Sequence, residues 1–212
     1  PLLGGFVLSI SNWRMIFAFL TLIAFIVLIG IFLKMPAHTQ TMQTRLQFKD
    51  ILKDFLYLLK KPTFVIPMLL QGLTYVMLFS YSSASPFITQ KIYHMSAPQF
   101  SVMLAINGVG LIIVSQIVAL LVEKISRQKL LIYLTIMQIV GVILLIATLA
   151  LHLPLYVLLI AFFINISPVT SIAPLGFSMA MEERTGGSGN ASSLLGLFQF
   201  ILGGIILSLI HI

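Results

Sequence analysis

Six apolar stretches, each about as long as a bilayer's hydrocarbon core is thick, dictate what this chain can become. They are Met15–Leu33, Thr63–Ser83, Pro98–Val122, Leu130–Leu151, Leu155–Phe177 and Ala191–Ile210, and none contains a charged side chain. A helix needs ~20 apolar residues to cross a membrane. Hydrocarbon offers no partner for a backbone N–H or C=O, so each stretch must satisfy its own hydrogen bonds as a helix. The expected fold class is therefore all-α, a polytopic membrane protein. Composition agrees, with 59% hydrophobic and 8% charged residues, against about 25% charged in soluble domains.

The remaining segments read as connections. Residues 1–10 are too few to span and are expected to be the last turns of another helix. Ser11-Asn12 make a turn, and Trp13-Arg14 suit an interfacial anchor. The chain opens at Pro1, without a charged leader or cleavage site, and stops close to a span. That pattern is expected of a piece of a longer protein. Residues 34–62 form a long loop in which Phe48, Ile51, Leu52, Phe55, Leu56 and Leu59 recur at helical spacing, with lysines and aspartates opposite. This predicts an amphipathic helix lying on the membrane surface, with a calmodulin-type target helix as the other reading.

The basic residues choose a side. Loops 34–62, 123–129 and 181–190 carry ten of the twelve Lys and Arg residues, whereas the opposite side has only Arg14 and Lys91. The lysine-rich loops are thus expected in the cytoplasm. The net charge of +7 reflects orientation, and no nucleic-acid partner is expected. Asn190-Ala191-Ser192 matches a glycosylation acceptor but falls on the wrong side for one.

Little here can do covalent chemistry. There is no cysteine, and His38, His94, His152 and His211 sit in loops or at helix ends without a second ligand at metal spacing. All five carboxylates (Asp50, Asp54, Glu123, Glu182, Glu183) lie in the lysine-rich loops. An enzyme is not expected, and neither a cofactor nor a metal is called for.

Within the spans the polar groups are amides, hydroxyls and small residues. Gln71, Tyr75, Leu78 and Ser82 share one helix face. Asn107-Gly108-Val109-Gly110 sits in the third span, Gln138 and Gly141 in the fourth. Asn165, Ser167, Pro168, Thr170 and Ser171 cluster in the fifth, and Ser192, Ser193, Gly196, Gln199, Gly203 and Gly204 stripe the sixth. For each residue alone, packing glue between helices accounts for the pattern. Together, polar stripes on several helices, with Pro168 and Pro174 as hinges in the fifth, predict a shared cavity. The run Ser80-Tyr81-Ser82-Ser83-Ala84-Ser85-Pro86 predicts a helix that frays into a moving segment, or one that stops at a loop.

The order of motifs resembles a known family. Pro1-Leu2-Leu3-Gly4-Gly5, then Trp13-Arg14 and Phe17, is similar to the end of the antiporter motif on the fifth helix of major facilitator drug exporters. Ala119-x-x-x-Glu123-Lys124-x-Ser126-Arg127-Gln128 resembles the second copy of that family's charged loop. It departs by alanine and serine for glycines and glutamate for aspartate. Phe79 to Phe87, with Tyr93, Ser96, Phe100 and Asn107-Gly108, resembles the seventh-to-eighth helix region of Bcr/CflA-type drug-resistance transporters. Gly189-Asn190-Ala191-Ser192-Ser193-Leu194-Leu195-Gly196 with Gln199-Phe200 is similar to their eleventh helix.

The resemblance implies a major-facilitator-like bundle. Residues 1–33 would close a first half, 34–62 would be a cytoplasmic linker, and 63–212 would be a second half lacking its last helix. It implies proton-driven efflux of amphipathic drugs by alternating access in a bacterial inner membrane, with the proton-coupling residue in the half not present. The partners expected are a small-molecule substrate, protons and the lipid bilayer. The candidate pathway residues are Gln71, Tyr75, Asn107, Asn165 and Gln199. The candidate gate residues are Ser85 and Pro86 on one side and Glu123 with Arg127 on the other. Tyr75, Phe79, Tyr81, Phe162, Phe198 and Phe200 would supply an apolar, aromatic drug site. An exporter of a sugar, amino acid or other metabolite would instead need a charged or amide-dense pocket. A non-transporting membrane scaffold would have no use for facing stripes of amides and prolines.

Overall fold

A computed structural model describes residues 6–7, 10–34, 48–182 and 188–210. The Pro1–Gly5 motif, His38, Arg45, Glu183, Arg184 and His211 lie outside these residues. The chain divides into two units, residues 1–46 and 47–212.

In the first unit, helix α1 spans Trp13–Lys34 and buries none of its residues. Its start is set locally. The Asn12 side chain accepts the Arg14 N–H at 3.0 Å, satisfying one of the donors a helix leaves open at its start. The Arg14 guanidinium lies 4.7 Å from the Trp13 ring centroid. Such a cation–π pair suits residues whose stems are apolar and whose tips are wet.

The second unit is a helical bundle. Helix α2 is Phe48–Leu58 and α3 is Pro62–Pro86, continued by a π-helical stretch at Phe87–Ile92. Then follow α4 at Ala97–Leu121, α5 at Arg127–Ala150, α6 at Leu155–Ile166, α7 at Val169–Glu182 and α8 at Ser188–Ile210. No strand occurs among the described residues. Taking α3 with its π extension, and α6 with α7, and counting α1 of the first unit, five helices among the described residues are long and apolar enough to cross a membrane; Gly189–Ile205 of α8 adds a shorter apolar stretch.

Helix starts follow the sequence. Pro62 occupies the first turn of α3, where its missing N–H costs nothing. Ser96 and Gln99 form a reciprocal capping box at the start of α4. One expectation needed correction. The serine run does not end α3, which continues past Ser83 and through Pro86. Pro86 has no N–H to give, and the chain widens there into i→i−5 bonding, seen in Tyr93 N–H to Ile88 C=O at 3.1 Å. The fifth span is interrupted at Ser167-Pro168, one of the two prolines expected to hinge it, and so forms two helices. The Ser167 hydroxyl donates to the Phe163 carbonyl at 2.6 Å, and the N–H groups of Ser171 and Ile172 both reach the Pro168 carbonyl at 3.0 Å. Pro174, by contrast, lies inside α7.

His94 and His152 both adopt positive φ, 54° and 51°, and each ends a helical segment at the lysine-poor end. The Tyr93 hydroxyl donates to the Leu153 carbonyl at 2.9 Å, which ties these two turns together. No group of metal-binding side chains occurs among the described residues.

Helix α3 packs chiefly on α7 and α8, α5 on α6, and α2 on α8. Three apolar clusters stack along the bundle. One joins Leu58, Phe64, Met68, Ala180, Ala191 and Leu195 at the lysine-rich end. A second joins Val118, Leu130, Leu134 and Ile172 beside the turn 123–129, and a third Met95, Met103, Leu158 and Phe162 at the far end. Between membrane helices lipid is as apolar as leucine, so close packing rather than water exclusion holds them. Small residues do this for α3 and α8. A Cβ on Gly72 would sit 2.8 Å from the Phe198 ring, and one on Gly203 would sit 2.5 Å from the Phe79 ring. Each glycine thus receives a phenyl ring from the opposite helix.

Candidate functional site

The reciprocal glycine–phenylalanine contacts bring the polar faces of α3 and α8 together. Gln71 is only 6% exposed, and its Nε2 donates to Oε1 of Gln199 at 2.8 Å. The Gln71 Oε1 is buried without a hydrogen-bond partner among the described residues. Farther along the same seam an aromatic ladder runs from Tyr75 to Phe79, with ring centroids 6.3 Å apart, and from Phe79 to Phe200 at 6.4 Å. Three of the five candidate pathway residues, Gln71, Tyr75 and Gln199, therefore meet along one seam. This surface has hydrogen-bonding amides at one point and polarisable rings beyond it, with no fixed charge.

Asn107 lies elsewhere. It is 3% exposed, and its Nδ2 donates to the Tyr81 hydroxyl at 2.6 Å, bridging α4 to α3. The Tyr81 ring stands edge-on to Phe162 of α6, with centroids 5.2 Å apart. Tyr81 enters the sequence reading only as one aromatic among several. The tyrosine hydroxyl inside the run Ser80–Ser85 was the available signal, because such a group in lipid must find a partner.

Asn165 belongs to a third place, against α5. A Cβ on Gly141 would lie 2.6 Å from the Asn165 backbone nitrogen, so these helices touch backbone to backbone. Neither polar atom of the Asn165 amide has a partner among the described residues. The polar stripes thus form separate bridges rather than one lined chamber. A cavity of about 560 Å³ does exist, but it lies at the lysine-rich end between the starts of α3 and α5 and the end of α7. None of the five candidates lines it. Its walls are mostly apolar, from Ile66, Leu70, Leu131 and Met179, with Gln128 and Glu182 contributing polar groups.

The candidate gate residues divide similarly. Ser85 is buried inside α3 and its carbonyl accepts the Thr89 hydroxyl at 2.7 Å. Pro86 marks the change from α- to π-helix. Glu123 is exposed in the turn before α5 and has no ion-pair partner among the described residues. Arg127 does not pair with it. Its Nη1 donates to the Ser178 hydroxyl at 2.9 Å and forms a salt bridge with Glu182 at the end of α7. Sequence reasoning placed Glu182 in a loop; α7 runs one turn farther, so Ser178 and Glu182, four apart, face Arg127 together. A matching bridge joins Asn190 Nδ2 to Asp54 Oδ2 at 2.7 Å, tying α2 to the start of α8.

Similarity to known proteins agrees with this arrangement. The Major Facilitator Superfamily model matches residues 1–208. An MFS-type transporter of Bacillus subtilis, YdgK, is 30% identical over 216 residues, covering 100% of this chain and 54% of the relative. A bicyclomycin resistance protein homolog of Haemophilus influenzae is 26% identical over 213 residues, covering 99% of this chain and 53% of its own length. The multidrug resistance protein MdtM of Salmonella typhimurium is 26% identical over 130 residues, covering 61% and 31%. The chain thus spans about half the length of the first two of these relatives. With a helical bundle of membrane-crossing length, uncharged spans and a match along nearly its whole extent, the chain belongs to the Major Facilitator Superfamily, a family of membrane transporters.

Proposed function

We propose that the chain forms part of a secondary active exporter of drugs or other amphipathic small molecules, working by proton antiport and alternating access. The observation that carries this reading is the seam of α3 and α8. Its amide pair, buried Gln71 with half-buried Gln199, adjoins the rings of Tyr75, Phe79 and Phe200 and carries no fixed charge. A site of this kind recognises bulky apolar molecules with one or two polar groups, and it suits a metabolite dense in charge or hydroxyls poorly. The names of two relatives, a bicyclomycin resistance homolog and a multidrug resistance protein, point the same way. On this reading residues 1–33 end one half of the transporter, 34–62 link the halves in the cytoplasm, and 63–212 belong to the second. The proton-coupling carboxylate then lies outside residues 1–212, and the protein sits in a bacterial inner membrane.

The test is export by the full-length protein in proteoliposomes loaded with a lipophilic fluorescent cation, driven by an imposed pH gradient. Pumping that follows the gradient and fails when Gln71, Tyr75 and Gln199 are all alanine supports the proposal. Unchanged pumping in that triple variant sinks the pathway assignment, and gradient-independent flux sinks antiport.

Arg127 and Glu182 are the proposed gate contact at the lysine-rich end, where α5 meets α7. The two side chains are 41% and 58% exposed, so the pair contributes under about 1 kcal/mol to stability. Arg127→Glu should therefore insert and fold normally while its export rate changes, because two like charges now face each other. Adding Glu182→Arg should restore the rate. Normal export by the single variant removes Arg127 from the gate.

A further inference from the structure

Helix α2 carries two apolar faces, and the bundle uses only one. Phe55 and Leu58 pack toward Ala191, Leu194 and Leu195 of α8, and Asp54 on the same side accepts the Asn190 amide. The second face is the stripe Phe48, Leu52, Leu56 and Leu59. Phe48 is 80% exposed and the other three are close to half exposed. Spacings of four, four and three place these side chains on one side. Lys49 and Lys53 lie along the border of the stripe farther from α8, and both are exposed. Lys60 lies two residues beyond the helix, also exposed. The only acidic neighbour paired with these lysines among the described residues is Asp50, a loose 3.9 Å from Lys53.

The position of α2 narrows what such a face can meet. Leu58 ends the helix and Pro62 begins a membrane-crossing one. Four residues reach roughly 13 Å at full extension, so the end of α2 stays close to the level at which α3 begins. Exposed apolar side chains at that level, edged by lysines, have the pattern of an interfacial helix that dips its apolar side toward acyl chains and lays its cations among phosphates.

We infer that the Phe48–Leu52–Leu56–Leu59 face of α2, with Lys49, Lys53 and Lys60, is a docking surface for anionic phospholipid. The adjacent face, with Asp54, Phe55 and Leu58, grips the first turns of α8, so docking fixes that end of α8 to the leaflet. The inference stands apart from what the protein transports.

The test uses the full-length protein with one nitroxide at Leu52→Cys, any other cysteine being replaced; residues 1–212 contain none. The probe lipids are phosphatidylcholine nanodiscs with and without phosphatidylglycerol. With phosphatidylglycerol present the label should collide with oxygen more than with a water-soluble nickel chelate. Omitting that lipid, or replacing Lys49, Lys53 and Lys60 by glutamine, should shift the label toward nickel, by about fivefold in the docking equilibrium for each lysine lost. A label equally open to nickel in both lipids overturns the proposal. So does one shielded from both reagents, which means that protein covers the face. Deep insertion indifferent to phosphatidylglycerol and to the lysines also overturns it, since no headgroup is then recognised.

Discussion

Gly141→Val is expected to prevent assembly of the folded protein. A Cβ at Gly141 would lie 2.6, 2.7 and 2.8 Å from the backbone nitrogen, Cα and Cβ of Asn165. The first two belong to the α6 backbone and the third is fixed to it, so no rotamer change can make room and the two helices must part. Overpacking by a single methyl costs roughly 1–3 kcal/mol, and valine adds two carbons more. The loss is felt along the most intimate part of the α5–α6 hairpin, where packing contact is the main source of stability. Gly141→Ala should lower the thermal midpoint of the purified protein, and Gly141→Val should leave little monodisperse material. Gly108 is the internal control, because a Cβ there meets nothing within 4 Å. Gly108→Ala should be neutral, or stabilising by up to about 1 kcal/mol from helix propensity. If both glycines tolerate alanine and valine equally, the backbone contact is not as described.

The second large effect is on transport. Replacing Gln71 alone by leucine leaves Gln199 without its hydrogen bond, a cost of about 1 kcal/mol. Replacing both should recover that stability, since neither amide is then stranded. Export should not recover. If the amides bind substrate, each leucine variant should lower transport efficiency by about tenfold, equivalent to 1.4 kcal/mol of lost binding, and the double variant should stay low. A double variant that regains both stability and export would show that the pair only holds α3 to α8. The reading of this seam as a substrate route would then be withdrawn.

How much of this was legible before folding depends on the range of the interaction. The stretches Met15–Leu33 and Pro98–Val122 announce themselves by length and apolarity. The α2 helix does so by its 3.6-residue period, and the caps at Ser96 and Pro62 by their own neighbours. Even the break at Pro168 follows from a ring that cannot donate. These are properties of contiguous residues in a solvent that forbids any other backbone arrangement.

Partnership was not legible. Gln71 and Gln199 are 128 positions apart, and each read alone as well as packing glue as it did as part of a cavity. Arg127 had Glu123 four residues away and chose Glu182, because α7 extends a turn farther and delivers its end to the start of α5. Asn107 found Tyr81, and Asn165 was pressed against Gly141, so polar stripes that looked convergent became separate bridges.

The sequence by itself determined which segments cross the membrane and which loops carry the positive charge, because lipid acts on each segment separately. Only the tertiary structure decided which amide, ring or charge meets which. That choice depends on how closely two helices approach, and the approach is set by glycines and rings contributed from opposite sides of each contact.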